Sequence, residues 1–100
     1  MRLETREEAQ LLQQLEKPTL LIVDDEEIIR DLCARALKDY RILQANNGQE
    51  ALKILDQQEV DLVLADIMMP IMNGLDLLQQ VKERDPTQLV IVMTGYADKD

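Results

Sequence analysis

Four short aliphatic runs constrain what this chain can become: Leu20–Val23, Tyr40–Ala45, Val60–Ala65 and Leu89–Met93. They are carried by Val, Ile and Leu without strict in–out alternation. Runs of that kind suit strands buried on both faces. The stretches between them have helical spacing. Ile28, Ile29, Leu32, Cys33, Ala36 and Leu37 predict a helix over about residues 26–38. Asn47 and Glu50 have the form of a capping box, ahead of Ala51, Leu52, Ile54 and Leu55. Leu75, Leu77, Leu78 and Val81 mark a further helix, entered through a turn at Asn73-Gly74 and stopped by Asp85-Pro86. Strands alternating with helices imply βαβ units. The expected class is therefore α/β, a doubly wound parallel sheet with helices on both faces.

The first 18 residues differ from the rest. Met1 to Lys17 is mostly Glu, Gln, Arg and Leu, and Pro18 ends it. A helical leader or linker is expected there, with a narrow stripe at Leu11, Leu12 and Leu15. The chain has no histidine and one cysteine, Cys33. An internal disulfide and a Cys–His or Ser–His mechanism are thereby excluded. Apolar runs such as Leu20–Val23 are far too short to cross a bilayer. There are 20 Asp and Glu against 11 Lys and Arg, for a net charge of −9. An acidic surface repels nucleic-acid phosphates and anionic membranes, so neither is an expected partner. These features predict a cytoplasmic protein.

Chemistry concentrates where the strands end. The first run ends in Asp24-Asp25, the third in Asp66 and the fourth in Thr94. In an open parallel sheet, C-terminal strand ends share one edge, and ligands bind there. Singly, each residue has a plain structural explanation: Asp25 as a helix N-cap, Asp66 as a loop residue, Thr94 as the close of a strand. Together they predict a shared site. Carboxylates that converge repel one another, and Mg²⁺, which takes oxygen ligands, relieves that repulsion.

Leu21-Ile22-Val23-Asp24-Asp25-Glu26, Asp66-Ile67-Met68-Met69-Pro70 with Asn73-Gly74, and Met93-Thr94-Gly95 resemble the receiver domain of two-component response regulators. The resemblance covers residues 19–100 and implies a flavodoxin-like sheet. It implies that Asp66 accepts a phosphoryl group from a sensor histidine kinase. Asp25, Asp66 and the Met68 carbonyl would ligate Mg²⁺ directly, and Asp24 through water. Thr94 would be the switch hydroxyl, with the Gly95 amide beside it. The resemblance also implies a fifth strand carrying a partner lysine, a position Lys99 is too early to fill. On this reading the sheet has strand order 2-1-3-4, with the fifth strand and last helix missing. Its last strand then forms a hydrophobic edge, and dimerisation or segment exchange is expected.

Two alternatives remain open at this point. One is a dimerisation module that keeps the fold but works without phosphorylation. The other is a phosphatase of the haloacid-dehalogenase type, which needs a second Asp two positions after its nucleophile. Glu26 and Glu27 stand at those positions and speak against it.

Overall fold

The computed structural model describes residues 5–93, with side chains omitted at 13–16. The element order is α1 (Arg6–Glu16), β1 (Thr19–Val23), α2 (Glu27–Ala36), β2 (Arg41–Ala45), α3 (Gly48–Gln57), β3 (Leu62–Asp66), α4 (Gly74–Arg84) and β4 (Leu89–Met93). The strands form one parallel sheet in the order β2-β1-β3-β4. This is the doubly wound parallel sheet expected from the strand and helix alternation, in the flavodoxin-like order that the resemblance implies, with an additional N-terminal helix.

α1 starts where the chain supplies its own cap. The Glu8 amide donates to Thr5 Oγ1 at 3.0 Å, and the Thr5 amide donates back to Glu8 Oε1 at 2.9 Å. α3 uses half of the expected box. The Glu50 amide donates to Asn47 Oδ1, whereas Glu50 Oε1 accepts from the amide of Asn46, one residue upstream of the cap. β3 also differs from expectation. It begins at Leu62, because the Thr19 amide donates to the Asp61 carboxylate at 2.7 Å and so is not available to a backbone carbonyl that would extend the ladder back to Val60.

β1 is central, and all five of its residues are buried. Successive side chains point to opposite faces. Leu21 and Val23 join Val63, Ala65, Ala51, Leu52, Leu77 and Val81 in the main core, on the side of α3 and α4. Leu20 and Ile22 are equally buried on the other face, toward α2. α2 covers that face only in part. None of its residues is fully buried, and Ile28 and Leu32 face solvent. The apolar stripe read from the sequence is thus wider than the face that packs. Arg84 on α4 clasps α3, pairing with Asp56 at 2.8 Å and reaching the Leu52 carbonyl. Among the described residues β4 is an edge strand, with Leu89 and Ile91 exposed.

The loop between β3 and α4 carries local strain. Ile71 has φ 71° and is 87% exposed. The Met72 amide donates to the Pro70 carbonyl at 2.7 Å, closing a three-residue turn around it. A β-branched residue is disfavoured there, by about 1–2 kcal/mol. Ile71→Gly is expected to raise stability by about 1 kcal/mol, since glycine adopts positive φ without a Cβ clash. A higher urea midpoint checks it; an unchanged or lower one refutes the strain.

Candidate metal centre

The register of the sheet brings the carboxylates together. Val23, the last residue of β1, lies opposite Ala45 on one side and Ala65 on the other. The residues that follow, Asp24 and Asp66, are therefore neighbours at the C-terminal edge. The order reverses at this point, since β2 lies to one side of β1 and β3 to the other. Such crevices are the binding sites of doubly wound folds.

Asp24 and Asp66 are held in the same way. The Glu26 amide donates to Asp24 Oδ1 at 2.9 Å, and the Met68 amide donates to Asp66 Oδ1 at 3.0 Å. Each carboxylate has one oxygen anchored to an amide two residues on. Among the described residues the second oxygen of each accepts no hydrogen bond. Asp25 is exposed and does not cap α2. The cap residue is Glu26, and it makes no side-chain capping bond. The plain structural explanation for Asp25 is thereby removed. One carboxylate oxygen from each of Asp24, Asp25 and Asp66 lies within 4.8 Å of the others.

That convergence is electrostatically unfavourable. Asp24 is 3% exposed. Burial pushes its carboxyl above the usual range; the Glu26 amide opposes this, and the charges of Asp66, Asp25 and Glu26 add to the rise. The three donors are all carboxylate oxygens, with no sulfur or imidazole among them. A hard divalent cation such as Mg²⁺ suits this set, and its charge offsets the repulsion that raises Asp24. The residues present therefore fit Mg²⁺.

Other expected site residues divide. Met68 is beside the cluster through its amide, while its side chain is 67% exposed and turned to solvent. Thr94, Gly95 and Lys99 lie outside the described residues. The last described strand still reaches the site, because Met93 pairs with Asp66 and its carbonyl accepts from the Ile67 amide at 2.9 Å.

Three residues shape the site from behind. Gly74 opens α4 against the end of β3. A Cβ there would lie 2.6 Å from the Asp66 carbonyl oxygen and 2.9 Å from Ile67 Cα. The glycine is needed for close approach, since among the described residues no glycine has positive φ. Asn73 caps the same helix, its Oδ1 accepting from the Asp76 amide at 2.8 Å. Arg30, which the sequence pattern does not single out, donates to the Asp24 carbonyl at 2.7 Å. On sequence alone a helix arginine reads as a solvated charge. The one available signal was its position on the first turn of the helix that follows the paired aspartates.

Known proteins resemble this arrangement. Over 82 residues the chain is 42% identical to the autoinducer 1 sensor kinase/phosphatase LuxN of Vibrio campbellii, covering 80% of this chain and 10% of LuxN. It is 33% identical over 84 residues to a cyclic di-GMP phosphodiesterase of Thermotoga maritima, covering 82% of this chain and 22% of that protein. The chain thus spans a tenth to about a fifth of the length of these curated relatives. Among solved structures, the response regulator TrrA of Thermotoga maritima, in complex with Mg²⁺ and BeF, superposes with a TM-score of 0.76 at 36% identity, covering 80% of this chain and 71% of that one. The signal receiver domain of an HD domain-containing protein from Pseudomonas fluorescens gives 0.77 at 32% identity, covering 83% and 68%. The family model for the response regulator receiver domain matches residues 20–100. With four parallel strands ordered 2-1-3-4 and an acidic cluster at the switch point, the chain belongs to the response regulator receiver domain family.

Proposed function

We propose that residues 19–100 are a phosphoacceptor module in which Asp66 receives a phosphoryl group, with residues 1–18 as a helical leader or linker. The observation that carries this is the convergence of Asp24, Asp25 and Asp66 within 4.8 Å, with Asp66 partly exposed and one of its oxygens unengaged among the described residues. An Asp66 oxygen attacks phosphorus, the bond to the donor breaks, and an aspartyl phosphate forms. Oδ1 is already fixed by the Met68 amide, which leaves the second oxygen oriented for attack. Asp24, Asp25, Asp66 and the Met68 carbonyl would hold Mg²⁺. When bound, that ion neutralises charge on the transferring phosphoryl group. Thr94 would donate its hydroxyl to the new phosphoryl oxygens, and the loop from Gly95 onward would move with it.

The phosphodonor is proposed to be the phosphohistidine of a sensor kinase, consistent with the kinase to which the chain is similar. The similar TrrA chain was solved in complex with Mg²⁺ and BeF, ligands that suit the chemistry proposed here. Among the described residues no helix is long and apolar enough to cross a membrane. Cytoplasmic location is proposed on the same family grounds. The test uses acetyl phosphate as a small donor. Incubation with Mg²⁺ is expected to add the mass of one phosphoryl group, and EDTA to prevent it. Failure to add it in Mg²⁺ contradicts the reading. Leu89 and Ile91 are exposed on β4, an edge strand among the described residues, and favour a second reading, a dimerisation module. Its signature in the same samples is a dimer by light scattering with no adduct.

A further inference from the structure

The geometry points to Arg30 as a positioning residue for the carboxylate cluster, an inference that rests on the divalent-metal reading above. Asp24 lies one residue beyond β1. Its amide donates to the Ala45 carbonyl of β2 at 3.1 Å. Among the described residues its own carbonyl accepts no backbone hydrogen bond. It accepts instead from an Arg30 Nη at 2.7 Å, while Arg30 Nε donates to Gln44 Oε1 at 3.1 Å. Gln44 sits on β2, opposite Ile22 of β1. The peptide groups on both sides of the Asp24 Cα are thus tied to the same neighbouring strand, one directly and one through Arg30.

This matters because the cluster repels itself. Without Arg30, the Asp24–Asp25 peptide is held only through the Asp24 amide and through the bond from the Glu26 amide to Asp24 Oδ1, a carboxylate of the self-repelling cluster itself, and rotation about the Asp24 Cα–C bond swings Asp25 away from Asp66. The Arg30 bond fixes the plane of the Asp24–Asp25 peptide and opposes that rotation. Guanidinium suits the task, being always charged and able to donate to two acceptors at once from a rigid fork. Its hydrogen bond to the carbonyl is charge-assisted, and so stronger than a neutral one. Lysine could reach the carbonyl but could not brace itself on Gln44 in the same geometry.

The test uses the whole 100-residue chain with Mn²⁺ as the probe, free ion being read by electron paramagnetic resonance. Urea midpoints are measured in parallel without metal. Arg30→Met, which keeps the stem and removes the donors, is expected to weaken Mn²⁺ binding roughly tenfold, as loss of support for metal ligands does. Arg30→Lys should fall between Arg30→Met and the parent. Gln44→Leu should weaken binding less, and the double variant no more than Arg30→Met alone. A lower urea midpoint with unchanged Mn²⁺ affinity in Arg30→Met would show that Arg30 merely satisfies a carbonyl, and overturns the inference. Should Arg30→Met not fold, Gln44→Leu decides: parent-like affinity overturns the inference. A parent chain with no saturable Mn²⁺ binding overturns the metal reading, and the inference with it.

Discussion

Asp66→Asn is expected to take up no phosphoryl group from acetyl phosphate, while folding at least as stably as the parent chain. Both halves follow from the same geometry. The side-chain oxygen of Asn can still accept from the Met68 amide, which Asp66 Oδ1 does at 3.0 Å, so the loop keeps its shape. The amide nitrogen that replaces the second oxygen is no nucleophile, so the aspartyl phosphate cannot form. The substitution also removes a charge that raises the Asp24 carboxyl. Because Asp24 binds its proton more tightly folded than unfolded, metal-free stability falls as pH rises from its ordinary value of 3.8 through the raised one. In Asp66→Asn that decline should be shallower, and the urea midpoint at neutral pH higher. Mg²⁺ affinity should fall roughly tenfold or more, since a ligand is lost rather than its support. An adduct of undiminished yield in Asp66→Asn would place the phosphoryl group elsewhere.

The second large effect is on the fold. Gly74→Val is expected to destabilise the chain by about 3 kcal/mol, at the upper end of the usual cost of overpacking. A Cβ at Gly74 meets two backbone atoms, the Asp66 carbonyl oxygen at 2.6 Å and Ile67 Cα at 2.9 Å, and Val92 Cγ1 at 2.9 Å. Backbone at the end of a central strand cannot step aside. α4 would have to lift from β3, stretching the bond from the Gly74 amide to the Ile67 carbonyl, already 3.3 Å. Asp66 itself would shift, so metal binding should suffer along with stability. Gly48 provides the control. The three atoms nearest a Cβ there all belong to the Met72 side chain, and the two closest, Sδ and Cγ, lie beyond its first rotatable bond and can turn away. Gly48→Ala should therefore cost much less. Equal urea midpoints for parent and Gly74→Val would contradict the close-approach argument. A stability of about 5–15 kcal/mol is ordinary for a domain of this size, so the predicted loss is a large fraction of the whole.

Much of the architecture was legible because local pattern and tertiary need agree. The apolar runs became the four strands, and Asp24, Asp25 and Asp66 met because parallel strand ends share an edge. The errors arose where a residue's partner lay outside its own element. Asp61 bonding the Thr19 amide moved the start of β3, and no local pattern encodes that pairing. Ile28 and Leu32 kept helical spacing, yet the face they predict is only partly covered by the sheet. Gly74 stood out as a turn residue, but what requires it is the Asp66 carbonyl, eight residues back in the chain. The positive φ of Ile71 contradicts its own propensity and so could not be anticipated. Arg30 was missed because its two acceptors, a carbonyl and an amide oxygen, carry no complementary charge in the sequence.

The central claim is that the three carboxylates form a built divalent-cation site rather than a patch of surface acid. Titration of the ¹⁵N-labelled chain with Mg²⁺ tests it most directly. The amides of Glu26 and Met68 donate to the Asp24 and Asp66 carboxylates, so their resonances should shift together and saturate. Those of Arg41 and Asp61, at the opposite edge of the sheet, should not move. Shifts that fail to saturate, or that spread evenly over exposed acidic residues such as Glu7 and Glu83, would contradict the claim.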